Sequence, residues 1–201
     1  MIQKRVLYCW FGTMRKPPKI EEYIRSWKEK LVDWEFIEIN ESNFDINYNE
    51  YTKEAYRLGK YAFVSDVARL VKLYELGGVY LDTDVMVYKP LDKFLKHEFF
   101  TGFEQWNYPV TAVMGATKGH WLIKEMLECY DRRKFELKDK WVEYETNTMI
   151  MSNVIGKYFN RIDMRYQEWQ NIAIYPQEVF CNREGTKKEE SYTEHLMTGM
   201  W

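Results

Sequence analysis

Gly77-Gly78-Val79-Tyr80-Leu81-Asp82-Thr83-Asp84-Val85-Met86-Val87-Tyr88 is the stretch whose reading decides the fold. A glycine pair stops one element, an apolar run follows, and two carboxylates stand two residues apart inside it. Aspartate is depleted from strands and is almost never fully buried unless it is paired or bound to a metal. Read as one strand, the run points residues i and i+2 to the same side, so Asp82 and Asp84 aim at one point. A hard divalent cation that also binds phosphate oxygens is the natural occupant of that point.

Immediately upstream, residues 60–76 carry the strongest helical pattern in the chain, and Gly77 stands where a C′ glycine belongs. Apolar residues run nearly all the way round this helix, which predicts burial. Asp66 and Arg69 are among the exceptions, and at a separation of three they share a face. On a solvated helix they would form an ion pair worth about half a kcal/mol at most. On an apolar helix that runs directly into the Asp82/Asp84 strand, they are equally candidates for lining a pocket.

Further out, residues 6–11 read as a first strand closed by Gly12, and 13–19, with Pro17-Pro18, as a basic loop. Helical spacing covers 20–31, 51–58, 121–130 and 147–159, whereas 34–39, 99–103, 110–116 and 172–180 read as strands. Residues 131–140 form a charged, solvated segment, and 181–191 a charged loop. Helices and strands alternate early and strands accumulate late, which predicts a single α/β domain over 1–201 with a mixed central sheet flanked by helices.

The chain has 201 residues, is 46% hydrophobic and carries a formal net charge of -2, so it has a core to bury and no overall basic field for nucleic acid. Cys9, Cys129 and Cys181 form no CxxC pattern and no Cys/His spacing, which argues against a disulfide framework or a zinc site and for a reducing, cytoplasmic compartment. No segment approaches the ~18 apolar residues of a membrane span, and the N-terminal apolar run is too short for a signal peptide. Arg15, Lys16 and Lys19 offer a basic loop for peripheral contact at the inner face of a membrane; in most proteins such a loop is only solvated.

An Asp-x-Asp on a buried strand has three common explanations: a sugar-nucleotide transferase, a phosphohydrolase of the haloacid dehalogenase type, and a structural cation site. Met86 in the Thr/Val position, and the depth of the pair in the chain, argue against the phosphohydrolase. An EF-hand is excluded because no Gly and Glu follow at loop spacing.

The surroundings of the pair narrow the choice. Tyr61-Ala62-Phe63-Val64-Ser65-Asp66-Val67-Ala68-Arg69-Leu70, then Leu73-Tyr74, then Gly77 to Val85, resembles the signature of glycosyltransferase family 32, the bacterial capsule and polysaccharide sugar transferases with a sugar-binding DXD region. More distantly it resembles the glucosyltransferase domains of large clostridial toxins. Tyr8-Cys9-Trp10-Phe11-Gly12, Ser26-Trp27, Ile39-Asn40-Glu41-Ser42-Asn43-Phe44-Asp45, Lys89-Pro90-Leu91-Asp92, Gly102-Phe103-Glu104 and the closing His195, Gly199 and Trp201 extend the likeness over essentially the whole chain.

The resemblance implies a GT-A fold and a retaining hexosyltransferase that uses Mn²⁺ or Mg²⁺ and a nucleotide-diphospho-sugar donor, UDP-sugar favoured over GDP-mannose. The acceptor it implies is a glycan or lipid-linked saccharide of surface polysaccharide synthesis. Asp84 matches the direct metal ligand, Asp82 the residue that touches the ribose and reaches the metal, and His195 the C-terminal metal or phosphate ligand. Asp66 and Arg69 match residues that hold the donor sugar. Tyr8, Trp10 and Gly12 match the segment cradling the base, with Tyr80, Asn147 and Trp201 completing the donor-binding set and Thr148 beside Asn147. Glu104 is a candidate for acceptor contact or for stabilising an oxocarbenium-like centre. Two departures stand out: Met200 occupies the position of the family's Ser before the final Trp, and the chain ends at Trp201 where many relatives continue. Both keep a degenerate, non-catalytic sugar-nucleotide-binding module as the alternative.

Overall fold

The computed structural model describes residues 1–104, 108–135, 146–159, 163–182 and 188–198. The N-terminal half is a run of parallel strands with helical crossovers, the connection that parallel pairing demands. β1 (Arg5–Cys9) leads through α1 (Pro18–Lys30) to β2 (Glu35–Ile39), and α2 (Glu50–Arg57) and α3 (Tyr61–Leu76) carry the chain back to β3 (Gly78–Leu81) on the other side of β1. Pro18 sits in the first helical turn of α1, where its missing N–H leaves no bond unmade.

β3 is followed by β4 (Val85–Val87), and β5 (Phe99–Phe103) and β6 (Pro109–Ala116) then enter the main sheet. After α4 (Trp121–Glu128) and α5 (Asn147–Ile155) come β7 (Gln167–Trp169), β8 (Ile172–Tyr175), α6 (Gln177–Phe180) and β9 (Thr193–His195). The seven-stranded sheet has the order β2-β1-β3-β6-β5-β8-β7, parallel in its first three strands and antiparallel where β6 meets β3 and β5, so it is the mixed sheet expected. β4 and β9 form a separate two-stranded ribbon.

Strand alternation divides the core into two layers. Val6, Val79 and Leu81 face Ile20, Tyr23 and Trp27 of α1. Leu7, Cys9 and Tyr80 face Val64, Val67 and Val71 of α3, with Leu122 and Met126 of α4 and Ile150 and Met151 of α5 in the same layer. The glycine pair makes the α3–β3 junction possible. Gly77 and Gly78 have φ of +67° and +124°, and a Cβ on Gly78 would lie 2.8 Å from the Arg5 carbonyl oxygen of the neighbouring strand. Only glycine fits that conformation and that approach.

The apolar run around the two aspartates is not one strand. β3 ends at Leu81 and β4 begins at Val85, so Asp82, Thr83 and Asp84 form a turn in which Val85 N–H donates to the Asp82 carbonyl (3.0 Å). The Asp82 N–H still donates to the Ala112 carbonyl (2.8 Å) of β6, and the chain then leaves the main sheet to pair with β9. The convergence of the two carboxylates is therefore a property of a turn, not of a pleat.

Other boundaries also differ from the sequence reading. The strand expected over 172–180 stops at Tyr175, because Pro176 lacks the N–H a ladder needs and starts α6 instead. β7 and β9 were not expected at all. The stretch read as a charged loop over 181–191 has Cys181, Asn182 and Ser191 buried, with Asn182 Nδ2 donating to Ser191 Oγ (2.6 Å); residues 183–187 within it lie outside the described residues. Among the described residues, no helix is long and apolar enough to cross a membrane.

Candidate active site

The C-terminal end of β3 delivers Asp82 and Asp84 to one place, and β9 delivers His195 to the same place through its register, in which Val85 faces His195. One ligand atom from each of the three lies within 4.8 Å of the others. His195 Nε2 is 3.3 Å from Asp84 Oδ1. The other oxygen of Asp84 accepts from the N–H (2.9 Å) and the hydroxyl (3.2 Å) of Thr198, and the Leu196 N–H donates to the Asp84 carbonyl (3.1 Å). The end of the described chain is thus latched onto the turn.

Asp84 Oδ1 is buried and has no partner in hydrogen-bond geometry, although the His195 ring stands beside it. Burial would push the imidazole of His195 down, but Asp84, Cys181 and Asp82 more than offset this and raise its pKa to about 11, so the ring is held as a cation beside the carboxylates. Burial likewise opposes the charge on Asp84, and His195 and Thr198 reverse it, holding its carboxyl below the usual range. Two carboxylates and an imidazole around a buried, unbonded oxygen fit a divalent cation of the Mg²⁺ or Mn²⁺ type, which would take the place of the imidazole proton.

Beside this trio lies a cavity of about 410 Å³ lined by Asp66, Arg69, Asp82, Glu104, Thr111, Asn147 and His195, among others. Arg69 organises its floor. Its guanidinium is 3.2 Å from Asp66 Oδ1 and 3.2 Å from Asp82 Oδ1, donates to the Thr111 carbonyl (3.2 Å), and sits 4.5 Å from the centre of the Tyr80 ring. The Tyr80 hydroxyl in turn donates to Asp82 Oδ1 (2.9 Å). The Asp66–Arg69 pair therefore lines a pocket and does not face solvent. Burial raises the Asp66 carboxyl to about 6 against the pull of Arg69. Burial also raises Glu104, opposed by His195 and assisted by Asp82.

The first turn of α5 forms another wall through Thr146, Asn147 and Thr148. Thr146 caps the helix by accepting from Met149 N–H (3.2 Å), and Asn147 Nδ2 donates to the Asp66 carbonyl (3.2 Å). Asn147 Oδ1 is buried without a partner, an acceptor available to a ligand hydroxyl. The positive end of the helix dipole also favours negative charge at this wall.

The structure brings together Asp66, Arg69, Asp82, Asp84, Glu104, Asn147 and His195, with Thr148. Tyr80 reaches the cavity only through Asp82 and Arg69, because it is fully buried. Tyr8, Trp10 and Gly12, at the end of β1, are not among the residues that line it. Tyr8 opens instead onto a second cavity with Lys16, Arg25 and Glu38. The Trp10 indole donates to the Met14 carbonyl (2.9 Å), and the Gly12 N–H donates to Glu41 Oε1 (2.6 Å) beneath the Tyr61 ring. Gly199, Met200 and Trp201, and Gln105 to Asn107, lie outside the described residues.

Sequence reading missed Thr111, Thr146, Thr198 and Cys181. Thr146 had a signal, a capping residue before a helical pattern. Cys181 had none: its sulfur is 3.8 Å from His195 Nδ1, a Cys/His contact between residues fourteen apart that no motif spacing announces. Cys9 and Cys181 are buried and Cys129 is exposed, and no disulfide joins them.

Residues 17–101 match the family described as the glycosyltransferase sugar-binding region containing the DXD motif. No curated protein matches the chain in sequence. Among solved structures, the PaToxG glycosyltransferase superposes with a TM-score of 0.57 at 17% identity, covering 78% of this chain and 69% of its own. The galactosyltransferase LgtC, in complex with donor and acceptor sugar analogs, gives 0.55 at 12% identity, covering 96% of this chain and 87% of its own. A glycosyltransferase involved in glycosylation of the major capsid of PBCV-1 gives 0.52 at 14% identity, covering 96% and 94%. At such identities these likenesses show the fold, which is GT-A.

Proposed function

We propose that this chain, a GT-A fold bearing the DXD-containing sugar-binding region of glycosyltransferases over residues 17–101, is a metal-dependent retaining hexosyltransferase. Its donor is a nucleotide-diphospho-sugar, UDP-linked in preference to GDP-linked, and its acceptor a glycan or lipid-linked saccharide of a surface polysaccharide. The observation that carries this reading is the convergence of Asp82, Asp84 and His195 at the edge of the cavity floored by Asp66 and Arg69. That arrangement sets a diphosphate-gripping pole beside a hydroxyl-binding one.

Asp82, Asp84 and His195 would hold the cation, which when bound neutralises the negative charge that the departing nucleoside diphosphate gains. The remaining chemistry belongs to the protein's own groups. Asp66 presents carboxylate acceptors to sugar hydroxyls, and Arg69 fixes Asp66 and Asp82 relative to each other, which orients the donor. Asn147 Oδ1 supplies a further acceptor at the same wall. Glu104, its pKa raised by burial, faces the cavity as an acceptor-side contact. No separate general base is required where the acceptor attacks from the leaving-group side and its proton passes to the departing phosphate. The N-terminal segment with Tyr8, Trp10 and Gly12 remains the proposed base cradle, and the basic loop at Arg15, Lys16 and Lys19 the proposed contact with the cytoplasmic membrane surface.

Incubation with a panel of sugar nucleotides and Mn²⁺ tests the reading. One donor is expected to be hydrolysed or transferred, and chelator or Asp84→Asn is expected to stop it. Absence of donor binding and of turnover across the panel would refute it.

A further inference from the structure

The ring of His195 is gripped from both sides. Nε2 faces Asp84 at 3.3 Å, and Nδ1 faces the sulfur of Cys181 at 3.8 Å, within reach of a sulfur hydrogen bond. Cys181 is fully buried and directly follows α6, where its N–H donates to the Gln177 carbonyl (2.9 Å), so the sulfur is fixed by the backbone and not by a mobile loop. Thr193 of β9 donates from its hydroxyl to the Phe180 carbonyl (2.6 Å), which pins the two segments together next to the contact. The independent sign that this ring serves a ligand is Asp84 Oδ1, buried and without a hydrogen-bond partner on the opposite side of the imidazole.

An imidazole can offer only one nitrogen lone pair to a cation, and the hydrogen bond made by the other nitrogen selects which. In most metal sites that partner is a carboxylate, a backbone carbonyl or water. We propose that Cys181 is the positioning residue of this site: by accepting the Nδ1 hydrogen of His195 it turns the Nε2 lone pair toward Asp84 and Asp82 and so sets cation affinity. The inference rests on the cation site described above. It gives Cys181, which otherwise packs in the apolar layer with Val85, Val179 and Phe180, a role that requires neither thiolate chemistry nor a disulfide.

The test is Mn²⁺ affinity, measured by electron paramagnetic resonance titration of the free protein without donor, alongside thermal unfolding. Cys181→Ala, and Cys181→Val in case the smaller side chain unfolds the site, are expected to weaken Mn²⁺ binding by about ten- to a hundredfold, the range typical of lost outer-shell partners. Cys181→Ser keeps a polar partner and is expected to stay within about fivefold of wild type. A merely structural role would lower the melting temperature in all variants without separating Ser from Ala and Val in Mn²⁺ affinity. Mn²⁺ binding by Ala or Val variants within twofold of wild type would overturn the inference and leave the cation site standing. Absence of Mn²⁺ binding by the wild-type protein would overturn both.

Discussion

Arg69 shows most clearly how one side chain can join two roles. It is buried against two carboxylates, the Ser65 and Thr111 carbonyls and an aromatic face, so its charge is compensated by the same two carboxylates that line the cavity. Removing one partner of a buried ion pair leaves uncompensated charge and typically costs about 3–5 kcal/mol. Arg69→Ala is therefore expected to destabilise the fold by about 3 kcal/mol or more in urea unfolding and to abolish donor turnover. Arg69→Lys is not a rescue, because an ammonium cannot span both carboxylates as the planar fork does. Tyr80→Phe makes a milder companion: it deletes only the hydroxyl donated to Asp82, with an expected loss of about 1 kcal/mol. If Arg69→Ala unfolds at the wild-type urea concentration, the pair is a surface-type interaction and the account of the cavity floor is wrong.

At the scale of elements, the structure separates what periodicity announces from what it hides. α3 and β3 were legible because a helix apolar all round, a glycine with positive φ and a short apolar strand each leave a local mark. The same glycines yield a prediction. Gly78→Ala would place a Cβ 2.8 Å from a backbone oxygen that cannot move aside, and a loss of about 2 kcal/mol or more is expected in thermal unfolding. β9 left no mark, because Thr-Glu-His has no apolar alternation and its partner β4 is only three residues long. Yet β9 carries His195, so the third member of the candidate cation site came from motif resemblance and not from pattern. The turn at 82–84 was hidden for a different reason: flanking apolar residues imitate one continuous strand when they in fact belong to two sheets.

α4 carries a pH dependence of its own. His120 caps it by accepting from the Leu122 N–H at Nδ1 (3.2 Å), a role only the unprotonated nitrogen can fill. Burial pushes the His120 pKa down to about 4 from the model-compound value of 6.5, with Glu98 opposing. Above 6.5 the ring is neutral in both folded and unfolded chains and contributes no pH slope. Between 6.5 and 4 only the unfolded chain takes up the proton, so stability falls as pH falls through that window and levels off below it. A loss on the order of 2 kcal/mol by pH 4 is expected from this group, and His120→Asn, which keeps a capping side chain, is expected to remove that part of the slope. Identical pH profiles for the two proteins would contradict the assignment.

Across the whole molecule, the two apolar layers hold a parallel half-sheet whose strand ends meet the α5 N-terminus and the β4–β9 ribbon at one cavity. The overall α/β plan follows from alternation of patterns, but the meeting of residues 66, 82, 104, 147 and 195 is a consequence of topology that no local window contains. The same assembly predicts a thermal signature. At a hundred times its Kd, a ligand that binds only the folded state adds about 2.7 kcal/mol. For a chain of this size that is a rise of roughly 5–10 °C in melting temperature. Mn²⁺ with a nucleoside diphosphate is expected to produce such a rise, and chelator to reverse it.

The central claim is that the Asp82/Asp84/His195 cluster grips the diphosphate of a sugar nucleotide during transfer. Its most direct measurement is Mn²⁺-dependent release of nucleoside diphosphate from a sugar-nucleotide panel by the wild-type protein and by Asp84→Asn. The account predicts release from at least one donor, loss of that release in chelator, and a fall of at least about a hundredfold in the variant, the scale of losing a principal electrostatic group. Equal release by the two proteins, or release indifferent to chelator, would contradict it.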